Sequence, residues 1–181
     1  MSILKTAKSL HSLGFAIHWL KHKSKMPIES GWTSGPRKSL AKLEASYKRG
    51  SNVGVRLGKV SKVGEGYLAV IDCDLKSTEK MHQIEMLEAL DEIYEGDSPL
   101  VMSGRANGSR HIYVRTKKPQ RPFLYKRSKE RIKVHQPSAK PSKREQHELT
   151  AKELKDGIRL RPAWEISVMG EGQQVALPPS I

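Results

Sequence analysis

Two aspartates, Asp72 and Asp74, stand on alternate positions of the apolar run YLAVIDCDL, residues 67–75. In an extended strand alternate side chains point to one face, so the two carboxylates project side by side with their Cα atoms roughly 6.6 Å apart. Like charges at this separation repel, and in a partly buried site one acid would be driven toward its neutral form unless a cation lay between them. The pair therefore predicts a metal-binding strand.

A second set of polar side chains is expected on the strand of residues 109–116. Alternation places Ser109 and His111 on one face and leaves the apolar residues for the core. A lone histidine in a strand is more often structural than functional. With Ser109 and Arg110 beside it, however, the imidazole belongs to a hydroxyl, guanidinium and imidazole set that suits a triphosphate. We expect these three residues to bind a nucleotide.

Glu165 lies in the apolar stretch WEISVM, residues 164–169, and is the third candidate acid. Together with Asp72 and Asp74 it would complete a cluster of three carboxylates, which suits two divalent ions that clamp the attacking and leaving oxygens of a phosphoryl transfer. Magnesium prefers such oxygen ligands to nitrogen or sulfur. The alternative is that Glu165 faces solvent from an edge strand.

The charge of the chain points to a partner rich in phosphate. Its 181 residues include 33 basic and 19 acidic ones, a net charge of +14, and residues 117–161 alone hold 15 basic and 5 acidic residues, which is +10. An excess of this kind favours nucleic acid, although lysine-rich loops also serve solubility alone.

The single cysteine excludes an internal disulfide framework and a zinc site with several thiolates, which fits a reducing compartment. The first residues lack the apolar core and cleavage site of a secretory signal, and no stretch approaches the roughly 20 apolar residues of a membrane span. We therefore expect a cytoplasmic protein without a membrane partner.

Periodicity predicts the elements that must position these residues. The most regular is a helix that begins at Ser77 or Thr78 and places one side chain every three or four residues in the core: Met81, Ile84, Leu87, Leu90 and Ile93. The other predicted elements are a helix from Ile3 to Gly14, a strand over 15–20, a helix capped by Ser39, a strand over 52–58, a hairpin of 99–103 with 109–116, and strands over 164–169 and 173–177. Residues 117–163 are expected to be a mobile basic connector with one small helix, opened by Thr150 and closed by Gly157.

Five motifs, in this order along the chain, resemble the primase-polymerase domain of the archaeo-eukaryotic primase (AEP) superfamily. They are KSKMPIESGW at 23–32, NVGVRLG at 52–58, the DxD of Asp72 and Asp74, SRH at 109–111, and WEISVMGEGQQVALPPS at 164–180. DxD or SxH alone is a weak signal, whereas five signals in order are strong. The resemblance spans most of the chain.

The resemblance implies an α+β fold: an AEP-type catalytic core of mixed or antiparallel sheets flanked by helices, with an RRM-like subdomain. It implies one catalytic domain over residues 1–181. Its parts would be an N-terminal αβ part at 1–60, a metal and nucleotide-binding core at 61–116 and 164–181, and the basic insertion at 117–163. Because relatives often continue into helical and helicase modules, the resemblance implies that the chain is a fragment of a longer replication protein.

The implied activity is that of a DNA primase and DNA polymerase, a two-metal nucleotidyltransferase that uses Mg²⁺ or Mn²⁺ in replicating a plasmid, phage or other mobile element. Its partners would be a single-stranded DNA template, a primer, NTP or dNTP substrates, and a helicase module or other replication proteins. The implied metal ligands and catalytic residues are Asp72, Asp74 and Glu165. The implied nucleotide-binding residues are Ser109, Arg110, His111, Ser103, Asn52 and Arg56, and the implied DNA-binding residues are Lys21, Lys23, Lys25, Arg127, Lys129 and Arg131.

Two other classes of protein remain open at this point. A metal-dependent nuclease uses the same paired acids and histidine. A non-catalytic single-strand binding module is the second, but it stacks bases on aromatic platforms, and aromatic residues are only 6% of this chain. A strand-nicking initiator would need two histidines separated by one apolar residue, whereas Tyr113 follows His111-Ile112.

Overall fold

The run that contains Asp72 and Asp74 forms the longest strand, Gly66–Leu75, of the computed structural model, which describes residues 2–96, 98, 100–102 and 108–178. Within those residues the architecture is α+β, with antiparallel sheets and few helices. The helices are α1 (Ile3–Ser12), α2 (Leu40–Ala45), α3 (Lys80–Asp91), α4 (Lys143–Glu148) and α5 (Ala151–Lys155). The strands are β1 (Ala16–Leu20), β2 (Asn52–Arg56), β3 (Gly58–Val63), β4 (Gly66–Leu75), β5 (Leu100–Met102), β6 (Arg110–Thr116), β7 (Phe123–Arg127), β8 (Arg131–His135), β9 (Ile158–Pro162), β10 (Trp164–Met169) and β11 (Gln174–Ala176).

Three antiparallel sheets organise these strands. The largest has six strands in the order β5-β6-β4-β10-β7, with β3 paired to the beginning of β4. A second sheet has the order β1-β2-β11, and β8 and β9 form a separate pair. Consecutive strands β10 and β11 lie in different sheets, so the turn between them connects the two larger sheets.

Two apolar clusters cover the two faces of the six-stranded sheet. On one face Ile71, Cys73 and Leu75 pack with α3. On the other face Leu68 and Val70 pack with residues of α1, α2 and the sheet β1-β2-β11. This alternation along β4 leaves Asp72 and Asp74 on the second face, past the end of its apolar cluster, with their side chains one third exposed.

Most predicted elements are present. Ser39 caps α2 by accepting a hydrogen bond from the Lys42 N–H, β5 and β6 pair as the predicted hairpin, and the two C-terminal strands lie where alternation predicted them. The turn expected at residues 104–108 and the chain end after Pro178 lie largely outside the described residues.

The predicted face of α3 was partly wrong. Met81 and Ile84 are 62% and 39% exposed, whereas the buried residues of this helix are His82, Met86, Ala89 and Leu90. The physical reason is that His82 is buried with hydrogen-bond partners on both ring nitrogens, Ser77 Oγ at 2.8 Å and Glu130 Oε2 at 3.1 Å. An apolar pattern does not register a buried polar residue of this kind.

The expectation that residues 117–163 carry a single small helix was also wrong. The predicted helix α5 is there, capped by Thr150 and followed by Gly157 at a φ of +76°, but the segment also forms α4, β7, β8 and β9. Strand β7 extends the six-stranded sheet by pairing with β10. Because β7 presents mostly exposed side chains on both faces, it lacks the apolar alternation that reveals a strand.

No helix among the described residues is both long and apolar enough to cross a membrane.

Candidate functional site

The three candidate acids lie on one face of two neighbouring strands. Strands β4 and β10 pair antiparallel with Glu165 directly opposite Asp74 and Ser167 directly opposite Asp72. Directly opposed residues of an antiparallel pair share a face, with Cβ atoms about 4.5–5.5 Å apart. The structure therefore brings Asp72, Asp74 and Glu165 together, although 90 residues separate Asp74 from Glu165 in sequence.

Lys76 lies between two of these acids. Its ammonium Nζ is 2.8 Å from Asp74 Oδ2 and 3.2 Å from Glu165 Oε1, and its side chain is 16% exposed. Sequence analysis missed this residue, although the signal was present: Lys76 is the next position after Asp72 and Asp74 in the same two-residue alternation. Both carboxylates are thus aimed at one cationic group.

His111 faces Asp72 from the other neighbouring strand. Strand β6 pairs with β4 so that His111 stands directly opposite Asp72, and its Nε2 is 3.2 Å from Asp72 Oδ1. The histidine side chain is 24% exposed and that of Asp72 is 33% exposed, so both groups are open to a ligand. The imidazole and the three acids form one continuous polar surface, which we call the acid face.

Ser109 and Arg110 do not lie beside His111 on the acid face. The Ser109 hydroxyl accepts from the Leu75 N–H at 2.9 Å and donates to the Leu75 carbonyl at 3.1 Å, and the residue is buried. Arg110 stands opposite Cys73, whose side chain is in the α3 core, and it donates to the Gly108 carbonyl. The three residues thus do not form the expected cradle: Ser109 anchors the end of β4, and Arg110 points to the opposite face.

The acid face can be tested for its fit to a divalent ion. No three His, Cys, Asp or Glu side chains in the part of the chain that the structure describes converge as tightly as a metal centre requires. The carboxylates are directed instead at Lys76 and His111. Nevertheless Asp74 and Glu165 hold a cationic group between them, and carboxylate oxygens are the ligands that Mg²⁺ prefers. The oxygen donors of these two acids therefore suit a divalent ion in their chemistry, although the described residues do not form a finished metal centre.

Tyr113 borders the acid face on the side of the core. It stands opposite Val70 on the same face, and its hydroxyl lies 3.5 Å from the Ala176 carbonyl of β11. Burial raises the pKa of Tyr113 to about 12, so the phenol stays protonated and remains a donor at neutral pH. This contact joins the six-stranded sheet to β11 next to the acids.

Asn52 and Arg56 point away from the core that lies between the two larger sheets. Their side chains leave β2 on the face opposite Val53 and Val55, which are core residues. Asn52 donates to the Ser24 carbonyl at 3.5 Å. Arg56 donates to the carbonyls of Thr33, Gly35 and Pro36 at 3.0–3.5 Å. Both side chains thus hold loop backbone in place, and the structure does not bring them to the acid face.

Gly54 lies between these two residues, and close packing explains why a glycine is found at this position. A Cβ at this position would lie 2.5 Å from His18 Nε2 and 2.8 Å from Gln174 Oε1. His18 is buried there, with its Nε2 at 2.9 Å from Gln174 Oε1 and its ring 5.4 Å from Trp32 in an edge-on contact. Desolvation by burial lowers the pKa of His18, so a neutral imidazole packs against the glycine.

The basic candidates for DNA contact fall into two groups. Lys21, Lys23 and Lys25 are exposed in the turn that follows β1, and Arg127 and Lys129 are exposed at the end of β7. Arg127 stands directly opposite Glu165, so this second group borders the acid face.

Two other candidates are placed differently. Arg131 is only half exposed and donates to the Leu160 carbonyl at 2.8 Å, which ties β8 to β9. Ser103 lies outside the described residues.

In a comparison with protein families, the model described as bifunctional DNA primase/polymerase, N-terminal, matches residues 7–181. This range includes every acid of the acid face, Lys76 and His111. Members of that family generally depend on metal ions. Comparison with curated proteins gives no match.

Proposed function

Because this chain belongs to the bifunctional DNA primase/polymerase family, we propose that it joins nucleotides to a primer or to a first nucleotide on a single-stranded DNA template, by a two-metal mechanism. The observation that supports this most directly is the convergence of Asp74 and Glu165 on one cationic group, with Asp72 on the same face. Such a cluster suits the transfer of a nucleotidyl group from an NTP or dNTP.

Asp72, Asp74 and Glu165 would hold two Mg²⁺ or Mn²⁺ ions. When bound, such ions neutralise charge on the triphosphate and lower the pKa of the attacking 3′-hydroxyl, so no protein base is required. Strands β4 and β10 hold the carboxylates in register. The carboxylates would therefore determine where the ions neutralise the charge of the triphosphate. The reacting groups would therefore meet directly above the paired strands.

His111 would contact the phosphates of the incoming nucleotide. Its imidazole borders Asp72 and is accessible from solvent, and an imidazole N–H can donate to a phosphate oxygen. Ser109 supports this role indirectly, since its hydroxyl bonds both backbone groups of Leu75 and so holds the ends of β4 and β6 together.

The DNA strand would lie along two groups of exposed basic residues, one of which borders the acid face. Arg127 and Lys129 stand at the end of β7 next to Glu165, and the turn with Lys21, Lys23 and Lys25 is exposed at the end of β1. Contacts of this kind are made to the phosphate backbone and are independent of sequence.

Several further features of this proposal rest on resemblance alone. The six-stranded sheet with α3 would correspond to the RRM-like subdomain of an AEP-type core, and residues 1–60 to its N-terminal part. Residues 117–163 would be an insertion that adds β7 to that sheet. The protein would serve the replication of a plasmid, phage or other mobile element together with a helicase module.

A primer-extension assay with labelled nucleotide, template and Mg²⁺ or Mn²⁺ tests the proposal. Extension is expected for the wild type, and Asp72→Asn, Asp74→Asn or Glu165→Gln should lower its rate by more than about 100-fold, since even residues that only support metal ligands are worth 10–100-fold. Template binding, measured by fluorescence anisotropy, should change little.

Asp91→Asn, an exposed acid at the end of α3, is the matched control and should extend normally. Shortening of the labelled strand would indicate a nuclease instead, and retention without synthesis would indicate a binding module. Full synthesis by the Asp74→Asn variant would contradict the proposed role of the acids.

A further inference from the structure

Lys76 occupies the position between Asp74 and Glu165 at which the proposed function requires a metal ion. The ammonium contacts both carboxylates, at 2.8 and 3.2 Å, and only 16% of the side chain is exposed. Lys76 directly follows the last residue of β4, and its ammonium is directed at both acids rather than at one.

The backbone holds Lys76 firmly in this place. Its N–H donates to the Ala163 carbonyl at 2.9 Å, and the N–H of Ser77 donates to the same carbonyl at 3.1 Å. Ala163 is fully buried and lies two residues before Glu165. The main chain at Lys76 is thus tied to the strand that carries Glu165, so movement of the ammonium away from the acids needs only a change of side-chain rotamer.

The charges explain why a cation is needed at this position. Carboxylates that face each other across paired strands repel, and the Lys76 ammonium offsets that repulsion with one positive charge. A divalent ion would offset it with two, but Mg²⁺ binds oxygen at 2.0–2.1 Å. The ion and the ammonium therefore exclude each other from the space between Asp74 and Glu165.

We propose that the Lys76 ammonium is an exchangeable counter-ion that holds the Asp74–Glu165 pair before catalysis and is displaced when a divalent ion arrives with the nucleotide. This inference rests on the proposed function, because it takes the acids to be metal ligands. The triphosphate supplies the displaced ammonium with a new anionic partner. Lys76 is in this sense a positioning residue that couples metal binding to nucleotide binding, so that the ion alone binds weakly and the ion with nucleotide binds well.

The test measures Mn²⁺ binding to metal-stripped protein by calorimetry and by loss of the free-ion EPR signal, with and without a non-hydrolysable nucleoside triphosphate. For Lys76→Met we expect Mn²⁺ alone to bind about 3- to 30-fold more tightly than to the wild type, since a competing charge at contact distance is gone. The gain in affinity that nucleotide confers on Mn²⁺ should shrink by the same factor. The melting temperature of the metal-free variant should fall, and Mn²⁺ should restore it.

Two variants separate this role from a merely structural one. Lys76→Arg keeps a cation between the acids and should bind Mn²⁺ as weakly as the wild type. Lys80→Met removes the same charge from the exposed first residue of α3 and should leave Mn²⁺ affinity unchanged.

The remaining outcomes distinguish failure of the counter-ion role from failure of the proposed function. Equal Mn²⁺ affinity in Lys76→Met and wild type, with equal coupling to nucleotide, would overturn the counter-ion role and leave the proposed function intact. If Mn²⁺ binds to neither protein with or without nucleotide, or binds equally to Asp74→Asn, the acids are not metal ligands and both proposals fall.

Discussion

His111 and Asp72 occupy directly opposed positions of two strands, with 3.2 Å between Nε2 and Oδ1. Each therefore has a partner within the protein and a surface open to a ligand. The residue between the two aspartates points into the core instead. Cys73 is fully buried, and burial raises the pKa of its thiol to about 12. A change of one position along β4 thus separates partly exposed polar groups from core groups.

At the residue scale we predict that His111→Ala weakens the binding of the incoming nucleotide. The KM for nucleotide should rise by about 10- to 100-fold, because a hydrogen bond to a charged group is worth 1.5–3 kcal/mol, and kcat should change less. Steady-state primer extension over a range of nucleotide concentrations measures both values. His135→Ala, in the exposed part of β8, is the control, and an unchanged KM for His111→Ala would remove His111 from the phosphate contacts.

Alternation of side chains was sufficient to predict much of the acid face. It placed Asp72, Asp74 and His111 on polar faces and Glu165 in a strand, because a period of two is visible in a single sequence. It did not reveal that β10 pairs with β4, since strand order depends on contacts distant in sequence. It also did not predict that the Ser109 hydroxyl would bond the backbone of Leu75.

At the scale of elements, buried polar groups stabilise contacts between helices and strands that apolar periodicity does not predict. His82 connects the beginning of α3 to Glu130, which follows β7. In residues 117–163 the comparable group is Glu145, which is 1% exposed and accepts hydrogen bonds from the Ser142 N–H at 2.7 Å, the Leu160 N–H at 2.8 Å and Arg161 Nη1 at 2.8 Å. This carboxylate ties α4 to β9, which is why the segment is folded despite its basic, proline-containing composition.

We predict that Glu145→Gln destabilises the protein in a pH-dependent way. Burial alone would raise the pKa of Glu145, but its hydrogen bonds and Arg161 lower it to about 2, from an ordinary 4.5. A lowered folded-state pKa stabilises the protein above pH 4.5, and that stabilisation is lost as the pH falls toward 2. The difference in free energy of unfolding between wild type and variant should therefore shrink by on the order of 2 kcal/mol between pH 7 and pH 3.

Urea unfolding at both pH values measures this difference. Glu148→Gln changes an exposed acid of the same helix, paired with Arg144, and we expect it to cause a small loss that is nearly constant over this range. A Glu145→Gln difference that stays constant or grows toward pH 3 would mean that the carboxylate is not ionised in the folded protein.

At the scale of the whole molecule, two sheets meet over a shared core and the acid face lies beyond its end. The positive charge is distributed around this arrangement, and β7 brings part of it next to Glu165. Sequence predicted the amount of charge but not this placement, because the pairing of β7 with β10 has no local signature.

The salt dependence of template binding tests whether the basic residues at the end of β7 contact the DNA template. Each phosphate contact on single-stranded DNA contributes about 0.7 to the slope of log K against log salt, so the double variant Arg127→Gln, Lys129→Gln should lower that slope by about 1.4. Fluorescence anisotropy of a labelled oligonucleotide over a range of NaCl concentrations measures this slope.

The matched control, Lys152→Gln with Lys155→Gln, removes the same charge from exposed positions of α5, a helix that packs against β9 rather than the six-stranded sheet. We expect that control to change the slope by less than half as much. Equal losses for the two double variants would mean that DNA responds to the net charge of the molecule and not to a path beside the acid face.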